Sequence, residues 1–349
     1  MKKNLYNKFF NPNKTFIVAE IGINHNGDMN LAKETIVAAA EAGADSVKFQ
    51  NYKTEDFITD RDLMFQYQSQ GKTINESQYD MFKRCELNRD QLYKLKEVCD
   101  SVGIVFHSTP TSSEGIDDLK NIGCEIIKNG SDYLTNLRLI RLMGESGLLI
   151  VLSTGMATFA EIKDAVRTFK ETGNDKLILL HCTSAYPTKP EEVNLLRIQK
   201  LRDEFDVEVG FSDHTEGNLA AVGSILLGAR WIEKHFTLNN NSPGPDHWFS
   251  MDPKALKDLV SSIRYTEKII GTDKIIPTNS EILNRNDFRL SCVASKDLIP
   301  GIRLTHDDIE FKRPGDGIPP SLEKNLVGKK IKFLIKKGQQ FKKEILEGE

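Results

Sequence analysis

Residues 148–184 read LLIVLSTGMATFAEIKDAVRTFKETGNDKLILLHCTS. An apolar run from Leu148 ends in a polar tip at Ser153, and a second, from Lys176, ends in Thr183 and Ser184. Between them Thr158–Thr172 carries an amphipathic helical pattern. Short continuous apolar runs, rather than strict alternation, suit parallel strands buried on both faces. The stretch therefore reads as strand, helix, strand. The same texture extends outward in both directions. Further strand candidates are FIVAEIG from Phe16, SVKFQN from Ser46, GIVFHSTP from Gly103, EIIKNGS from Glu125, VEVGFSDH from Val207 and WIEKHFTL from Trp231. Helical stretches at Leu31–Ala42, Arg89–Val102 and Glu191–Phe205 separate them, with Asn88 as an N-cap and Gly103 as a stop.

Eight strand–helix units in about 270 residues predict an α/β fold of the (β/α)8 TIM-barrel type, closed by a helix over Pro253 to Ile270. A doubly wound open sheet is the alternative. It has fewer strands at this length, and GINHNG after the first strand is not the GxGxxG fingerprint of that fold. Past residue 271 the texture changes. Residues 272–287 read as a linker with a short helix, and 288–349 as a small β-rich domain with Gly/Pro turns. Residues 1–271 are left for the barrel. From Arg289 to Glu349, thirteen Lys+Arg face nine Asp+Glu, so the tail is +4. The whole chain is −3, so the remainder is −7.

The near-balance of charge argues against a nucleic-acid partner. No apolar run approaches a membrane span. Five scattered cysteines without a CxxC pair exclude a disulfide framework or zinc knuckle and fit a cytoplasmic protein. The segment Tyr52–Leu87 reads as a long loop after the second strand, either a lid or a plain insertion.

The strand tips carry the chemistry. In a TIM barrel all eight open on one face, where active sites are built. Lys48 and Lys128 end two strands and, with Ser131, Ser153, Ser184 and Ser212, form a ring of cations and hydroxyls suited to phosphate or carboxylate. A Schiff-base lysine is a rival reading. His214 and His235 end adjacent strands and can approach one ion, with Asp213 and Glu233 placed to orient an imidazole or a metal-bound water. Such a site suits Mn²⁺, Zn²⁺, Fe²⁺ or Co²⁺. His25, His107 and His181 read as structural, and His247 and His306 as loop or surface residues.

The ordered motifs AEIGINHNG at Ala19, ADSVKFQ at Ala44, HSTP at His107, IIKNGS at Ile126, LSTGM at Leu152 and LLHCTSAYPT at Leu179 continue with GFSDHT at Gly210, IEKHFT at Ile232, PGPDH at Pro243 and KRPGDGI at Lys312. Taken together, the chain resembles the sialic acid synthase family, including its legionaminic and pseudaminic relatives. The resemblance implies a TIM barrel followed by an antifreeze-like SAF domain of the β-clip type. It implies condensation of phosphoenolpyruvate with the open-chain aldehyde of an N-acetylated hexosamine, giving a 2-keto-3-deoxy sugar acid and phosphate. Lys48, Thr109, Lys128, Ser131, Ser153, Ser184 and Ser212 would hold phosphoenolpyruvate. Glu20, Gln50, Tyr186 and Asp246 would contact the sugar, and Glu20, Lys48, Lys128 and Glu233 would serve the chemistry. His214 and His235 would bind a divalent metal, Mn²⁺ first, with Mg²⁺ or Co²⁺ as options. Arg313 would reach the N-acetyl group from the partner of a domain-swapped homodimer. Two departures are visible: Ser184 stands where some relatives have Asn, and Lys234 where many have Arg. N-acetylmannosamine, its 6-phosphate and 2,4-diacetamido-2,4,6-trideoxymannose are all open as acceptors, the 6-phosphate ranking last. A pyruvate aldolase and a non-catalytic carbohydrate-binding or ice-binding protein are the remaining alternatives, and the basic tail suits a flat ice-binding surface poorly.

Overall fold

Strand β1 (Phe16–Gly22) is buried along its whole length, as its unbroken apolar run requires. It starts a closed barrel of eight parallel strands in a computed structural model that describes residues 14–342 and 344. After α1 (Met29–Ala42) and β2 (Ser46–Asn51), the chain leaves the barrel for a hairpin, β3 (Met64–Ser69) and β4 (Lys72–Ser77), followed by α2 (Gln78–Arg84). The barrel resumes with α3 (Arg89–Val102), β5 (Val105–Pro110), α4 (Ser113–Asn121), β6 (Ile126–Asn129), α5 (Leu137–Glu145), β7 (Leu149–Ser153), α6 (Phe159–Lys170) and β8 (Leu177–Cys182). It closes with α7 (Arg197–Phe205), β9 (Glu208–Asp213), α8 (Leu219–Leu226), β10 (Trp231–His235) and α9 (Pro253–Ile270). The strand order around the barrel is β1-β10-β9-β8-β7-β6-β5-β2.

Local signals set the helix limits. Asn88 and Gln91 form a capping box at the start of α3, and Gly103 closes it at φ 76° with its N–H on Cys99 O; reciprocal capping satisfies donors the helix cannot. Thr158 and Glu161 do the same for α6. The helix expected over Glu191–Phe205 is shorter: a 3-10 turn occupies Pro190–Glu192 and α7 begins at Arg197.

The segment Tyr52–Leu87 is not a structureless loop. β3 and β4 pair antiparallel about Gln70 and Gly71, both at positive φ (52° and 71°). Two consecutive residues of that hand make the tight turn whose twist matches a hairpin.

Inside the barrel Phe16, Val18, Ile126, Leu149, Val151, Ile178, Leu180 and Trp231 form one apolar plug, with Phe16 and Trp231 stacked at 4.6 Å. A larger cluster fills the space between strands and helices. Side chains alternate across a strand, so the residue two beyond each plug member again points inward. Those next positions are Glu20 after Val18, Lys128 after Ile126, Ser153 after Val151, Cys182 after Leu180 and Glu233 after Trp231, and all of them line one cavity. The same periodicity that packs the plug thus delivers the polar tips to one place.

The chain divides into two compact units, Met1–Gly271 and Thr272–Glu349. The second begins with an exposed helix α10 (Asn279–Phe288), capped by Thr278 and Glu281. Strands β11 (Ser291–Ala294) and β12 (Ile309–Lys312) then pair antiparallel. Cys292, Leu298, Leu304, Ile309, Leu326, Ile331, Ile335 and Phe341 are among its core residues. All five cysteines are free and buried. Among the described residues no helix is long and apolar enough to cross a membrane.

Candidate active site at the strand ends

The cavity at the C-terminal ends of the barrel strands has a volume of about 770 Å³. Glu20, Lys48, Gln50, Thr109, Lys128, Ser131, Ser153, Ser184, Tyr186, Ser212, His214, Glu233, His235 and Asp246 all line it, whereas Asp213 does not. Arg313 belongs to the second unit, where its guanidinium lies 5.1 Å from the centre of the Phe288 ring.

The floor holds four buried charges. Lys48 Nζ is 2.7 Å from Glu20 Oε2, 3.9 Å from Glu233 Oε1 and donates to Thr109 Oγ1 at 3.2 Å. Lys128 Nζ is 3.3 Å from Glu233 Oε1, and Ser212 Oγ donates to that same oxygen at 3.3 Å. The two lysines are therefore not free cations; each is matched by a carboxylate. Burial pushes Glu20 up to about 7, against the pull of Lys48. Burial would raise Glu233 too, but Lys128 and Lys48 together outweigh it and hold that carboxyl below its ordinary value. Two carboxyls with environments that push them apart allow one to carry a proton while the other stays ionised. His107 lies beneath them, fully buried, and burial keeps it neutral, down to about 3.

Hydroxyls form one wall. Ser131 Oγ accepts from Gly155 N at 3.0 Å. Ser153 Oγ and Ser184 Oγ are buried without a hydrogen-bond partner. A Cβ on Gly155 would clash with Ser184 Oγ and lie 2.7 Å from Ser131 Oγ, so the glycine backbone is what leaves room between these groups. Buried hydroxyls are normally satisfied; two orphans facing a cavity beside Lys128 suit an anion's oxygens.

His214 and His235 adjoin that wall, ring centres 5.4 Å apart, with Cys182 Sγ lying 3.6 Å from Ser131 Oγ and 3.9 Å from His214 Nδ1. His214 Nδ1 is 2.8 Å from Thr183 O. A carbonyl only accepts, so Nδ1 carries a proton and Nε2 is the ring nitrogen left for a ligand. His235 Nδ1 is buried with no hydrogen-bond partner, 3.7 Å from Asp246 Oδ2. Burial, and His214 beside it, hold the His235 pKa well below its usual value, so its ring is neutral. Burial lowers the His214 pKa, but Cys182 and the Thr183 carbonyl outweigh it and raise it above the ordinary value. A divalent ion would have to displace the proton so favoured at His214, and with it given up the two rings, one with an orphaned nitrogen, fit such an ion as two of its ligands. Among the described residues no group of three or more His, Cys, Asp or Glu is arranged to hold one unaided. The remaining positions would fall to substrate or water.

Three expectations change. Asp213 does not orient an imidazole: it pairs with Lys234 on the outer face of the barrel, at 2.8 Å. Glu233 points to the lysines rather than to the histidines. His247 is no surface residue but is 1% exposed, with Nδ1 2.7 Å from Thr237 Oγ1 and Nε2 3.2 Å from Asn26 Nδ2. It helps to lace the loop carrying Asp246 to the first βα turn, where Asn24 donates to Phe236 O and Ser250 Oγ. Burial pushes Asp246 up to about 6.

The Tyr52–Leu87 segment, expected as a lid or a plain insertion, reaches the cavity through its hairpin. Phe65, Gln66, Tyr67 and Gln68 of β3 line it, with Asp132, Trp248 and Phe249. The hairpin is tied down there: Gly244 N donates to Ser69 Oγ, and Gln70 Nε2 to Asn241 O. The alternation in MFQYQS was the available signal.

The sequence pattern of the NeuB family matches residues 35–275, and that of the SAF domain residues 291–347. The chain belongs to the NeuB family. It is 40% identical over 327 residues to N,N′-diacetyllegionaminic acid synthase of Legionella pneumophila, covering 93% of this chain and 92% of that protein. It is 35% identical over 321 residues to pseudaminic acid synthase of Helicobacter pylori, covering 92% and 94%. The crystal structure of N-acetylneuraminic acid (sialic acid) synthetase from Leptospira borgpetersenii matches it with a TM-score of 0.70 at 35% identity, over 79% of this chain and 92% of that one. The NeuB-family barrel and SAF domain are those the sequence motifs implied.

Proposed function

We propose that this NeuB-family chain is a nonulosonic acid synthase that joins phosphoenolpyruvate to the open-chain aldehyde of an N-acetylated hexosamine and releases phosphate by C–O cleavage. The observation that carries this reading is the pair of orphaned hydroxyls, Ser153 and Ser184, beside Gly155 and the buried lysines at the barrel's strand ends.

Lys128, Ser131, Ser153 and Ser184 hold the phosphate and carboxylate of phosphoenolpyruvate. Lys48, Thr109 and Ser212 complete that end of the site. Glu233 stays ionised and fixes both ammonium groups. Glu20 holds or yields a proton at its carboxyl, whose pKa is poised near neutrality, as general acid–base work requires. A divalent ion held by His214 and His235, Mn²⁺ first, would supply Lewis-acid polarisation of the acceptor's carbonyl. Gln50, Tyr186 and Asp246 face the acceptor. Arg313 of the SAF domain is assigned to its N-acetyl group, delivered by a second copy of the chain in a domain-swapped dimer. The C–C bond forms from the vinyl carbon to the aldehyde carbon. Water then adds at the former enol carbon, and the tetrahedral adduct expels phosphate.

One observation bears on the acceptor. Among the described residues, Lys48 and Lys128 are the only Lys or Arg lining the cavity, and the aromatic rings of Phe65, Tyr67, Trp248 and Phe249 also line it. Within one chain that lining gives a sugar 6-phosphate no cation beyond the two floor lysines, and its rings suit apolar sugar faces. With the legionaminic synthase relative at 40% identity, it supports 2,4-diacetamido-2,4,6-trideoxymannose as acceptor, with N-acetylmannosamine as the comparator. The test is phosphate release from phosphoenolpyruvate with Mn²⁺ and each of three sugars: the diacetamido sugar, N-acetylmannosamine and its 6-phosphate. Release with the diacetamido sugar in preference to the 6-phosphate is expected. Release with none of them sinks the proposal.

A further inference from the structure

β9 and β10 end in the same order of parts: an inward residue of the floor, an outward charge, then a histidine. Ser212 and Asp213 close β9 and His214 follows directly; Glu233, Lys234 and His235 close β10. The two outward charges meet. Lys234 Nζ lies 2.8 Å from Asp213 Oδ2 and donates to Thr215 O at 2.6 Å, while Thr215 N donates to Asp213 Oδ1 at 2.8 Å. Both side chains are sealed, at 3% and 0% exposure.

The placement matters because the backbone ladder between the two strands stops here. Its register runs from Ile232 opposite Phe211 to Lys234 opposite Asp213. On the other side of β9 the ladder with β8 ends at Ser212. His214 thus sits beyond both of its ladders, while His235 is still paired with Glu20 of β1. Past the ladder, the Asp213–Lys234–Thr215 network ties the His214 end of β9 to β10 on the outer face, as Ser212 Oγ and Glu233 Oε1 do on the inner one; Thr183 O and Thr188 N hold His214 from its other side.

Stability alone does not explain such a network. A buried ion pair can often be replaced by apolar groups of similar volume with no loss, although removing one partner is costly. What this pair supplies is geometry at the step before each histidine.

We infer that Asp213 and Lys234 are positioning residues: their ion pair is a strut that fixes the separation and aim of His214 and His235 for a divalent cation. The inference rests on the reading of those two histidines as metal ligands.

The test compares the wild-type chain with the double variant Asp213→Leu/Lys234→Met, which leaves no buried charge alone. Mn²⁺ affinity is read by titration calorimetry, phosphoenolpyruvate affinity in the absence of metal, and folding by thermal melting. The strut predicts Mn²⁺ binding at least about tenfold weaker, within the range for groups that orient metal ligands, with phosphoenolpyruvate binding unchanged. Lys234→Arg, which keeps the pair, retains both affinities. If the double variant does not fold, the polar pair Asp213→Asn/Lys234→Gln undergoes the same measurement against the same expectation. Mn²⁺ binding within twofold of wild type in a folded variant, while His235→Ala abolishes it, overturns the strut and leaves the ligand assignment standing. Wild-type protein that binds no Mn²⁺ overturns the ligand assignment and the strut with it.

Discussion

Lys128 Nζ and Glu233 Oε1 lie 3.3 Å apart on the floor of the barrel, both side chains at least 94% buried. Neither can lose its partner cheaply. Lys128→Ala leaves Glu233 with Lys48 at 3.9 Å and Ser212 at 3.3 Å. Breaking a buried pair in this way costs about 3–5 kcal/mol, and the shared contacts place this case at the lower end. Urea unfolding should show that loss. Titration calorimetry should show phosphoenolpyruvate binding weakened at least about tenfold, as expected for loss of a charge-assisted contact.

Gly155→Ala tests the hydroxyl wall. The added Cβ meets Ser184 Oγ and Ser131 Oγ and lies 3.2 Å from Cys182 Sγ, so the space for the anion closes, while none of these neighbours belongs to the apolar plug below. The expected result is loss of phosphoenolpyruvate binding with a melting temperature within a few degrees of wild type. Wild-type affinity in this variant would place the anion elsewhere.

Glu20→Gln keeps the volume of the side chain and removes its proton chemistry. A general acid–base contributes about 10²–10⁴-fold, so kcat should fall by that order while the KM for phosphoenolpyruvate changes little. Steady-state kinetics at saturating acceptor separates the two.

Acid should destabilise the fold through its buried imidazoles. Burial, with His247 nearby, holds His25 down to about 4. An unfolded histidine titrates near 6.5, so between those values the unfolded chain binds the extra proton. The His25 contribution is therefore flat above about pH 6.5 and falls as pH drops toward 4, by about 3 kcal/mol for a shift of this size, while the raised carboxyls of Glu20 and Asp246 act in the opposite sense across the same window. The His25 part is read as a difference: as pH falls from 6.5 toward 4, the urea midpoint of His25→Gln should rise relative to that of the wild type.

Much of this architecture is legible in the chain because parallel barrel strands write themselves as continuous apolar runs with polar ends. Val18 to Glu20, Ile126 to Lys128 and Trp231 to Glu233 are two-residue steps on one face, and they carry plug and floor alike. The same period of two could have sorted the acids. With His214 and His235 inward, Asp213 and Lys234 must point outward and Glu233 inward. The hairpin was hidden because Gln70-Gly71 lacks the Asn-Gly or Asp-Gly signature of its turn. His247 was misread because its local sequence, PGPDHWFS, is that of an exposed turn. Its burial comes from Asn26 and Thr237, contacts that neighbouring residues do not encode.

The central claim is that one strand-end cavity condenses phosphoenolpyruvate with an amino sugar by C–O cleavage. It is tested most directly with phosphoenolpyruvate carrying heavy oxygen at the bridging position, in the presence of Mn²⁺ and 2,4-diacetamido-2,4,6-trideoxymannose or N-acetylmannosamine. Mass spectrometry should find one phosphate per nine-carbon keto acid, with the label in the phosphate. Unlabelled phosphate, or no keto acid with either sugar, would contradict the account.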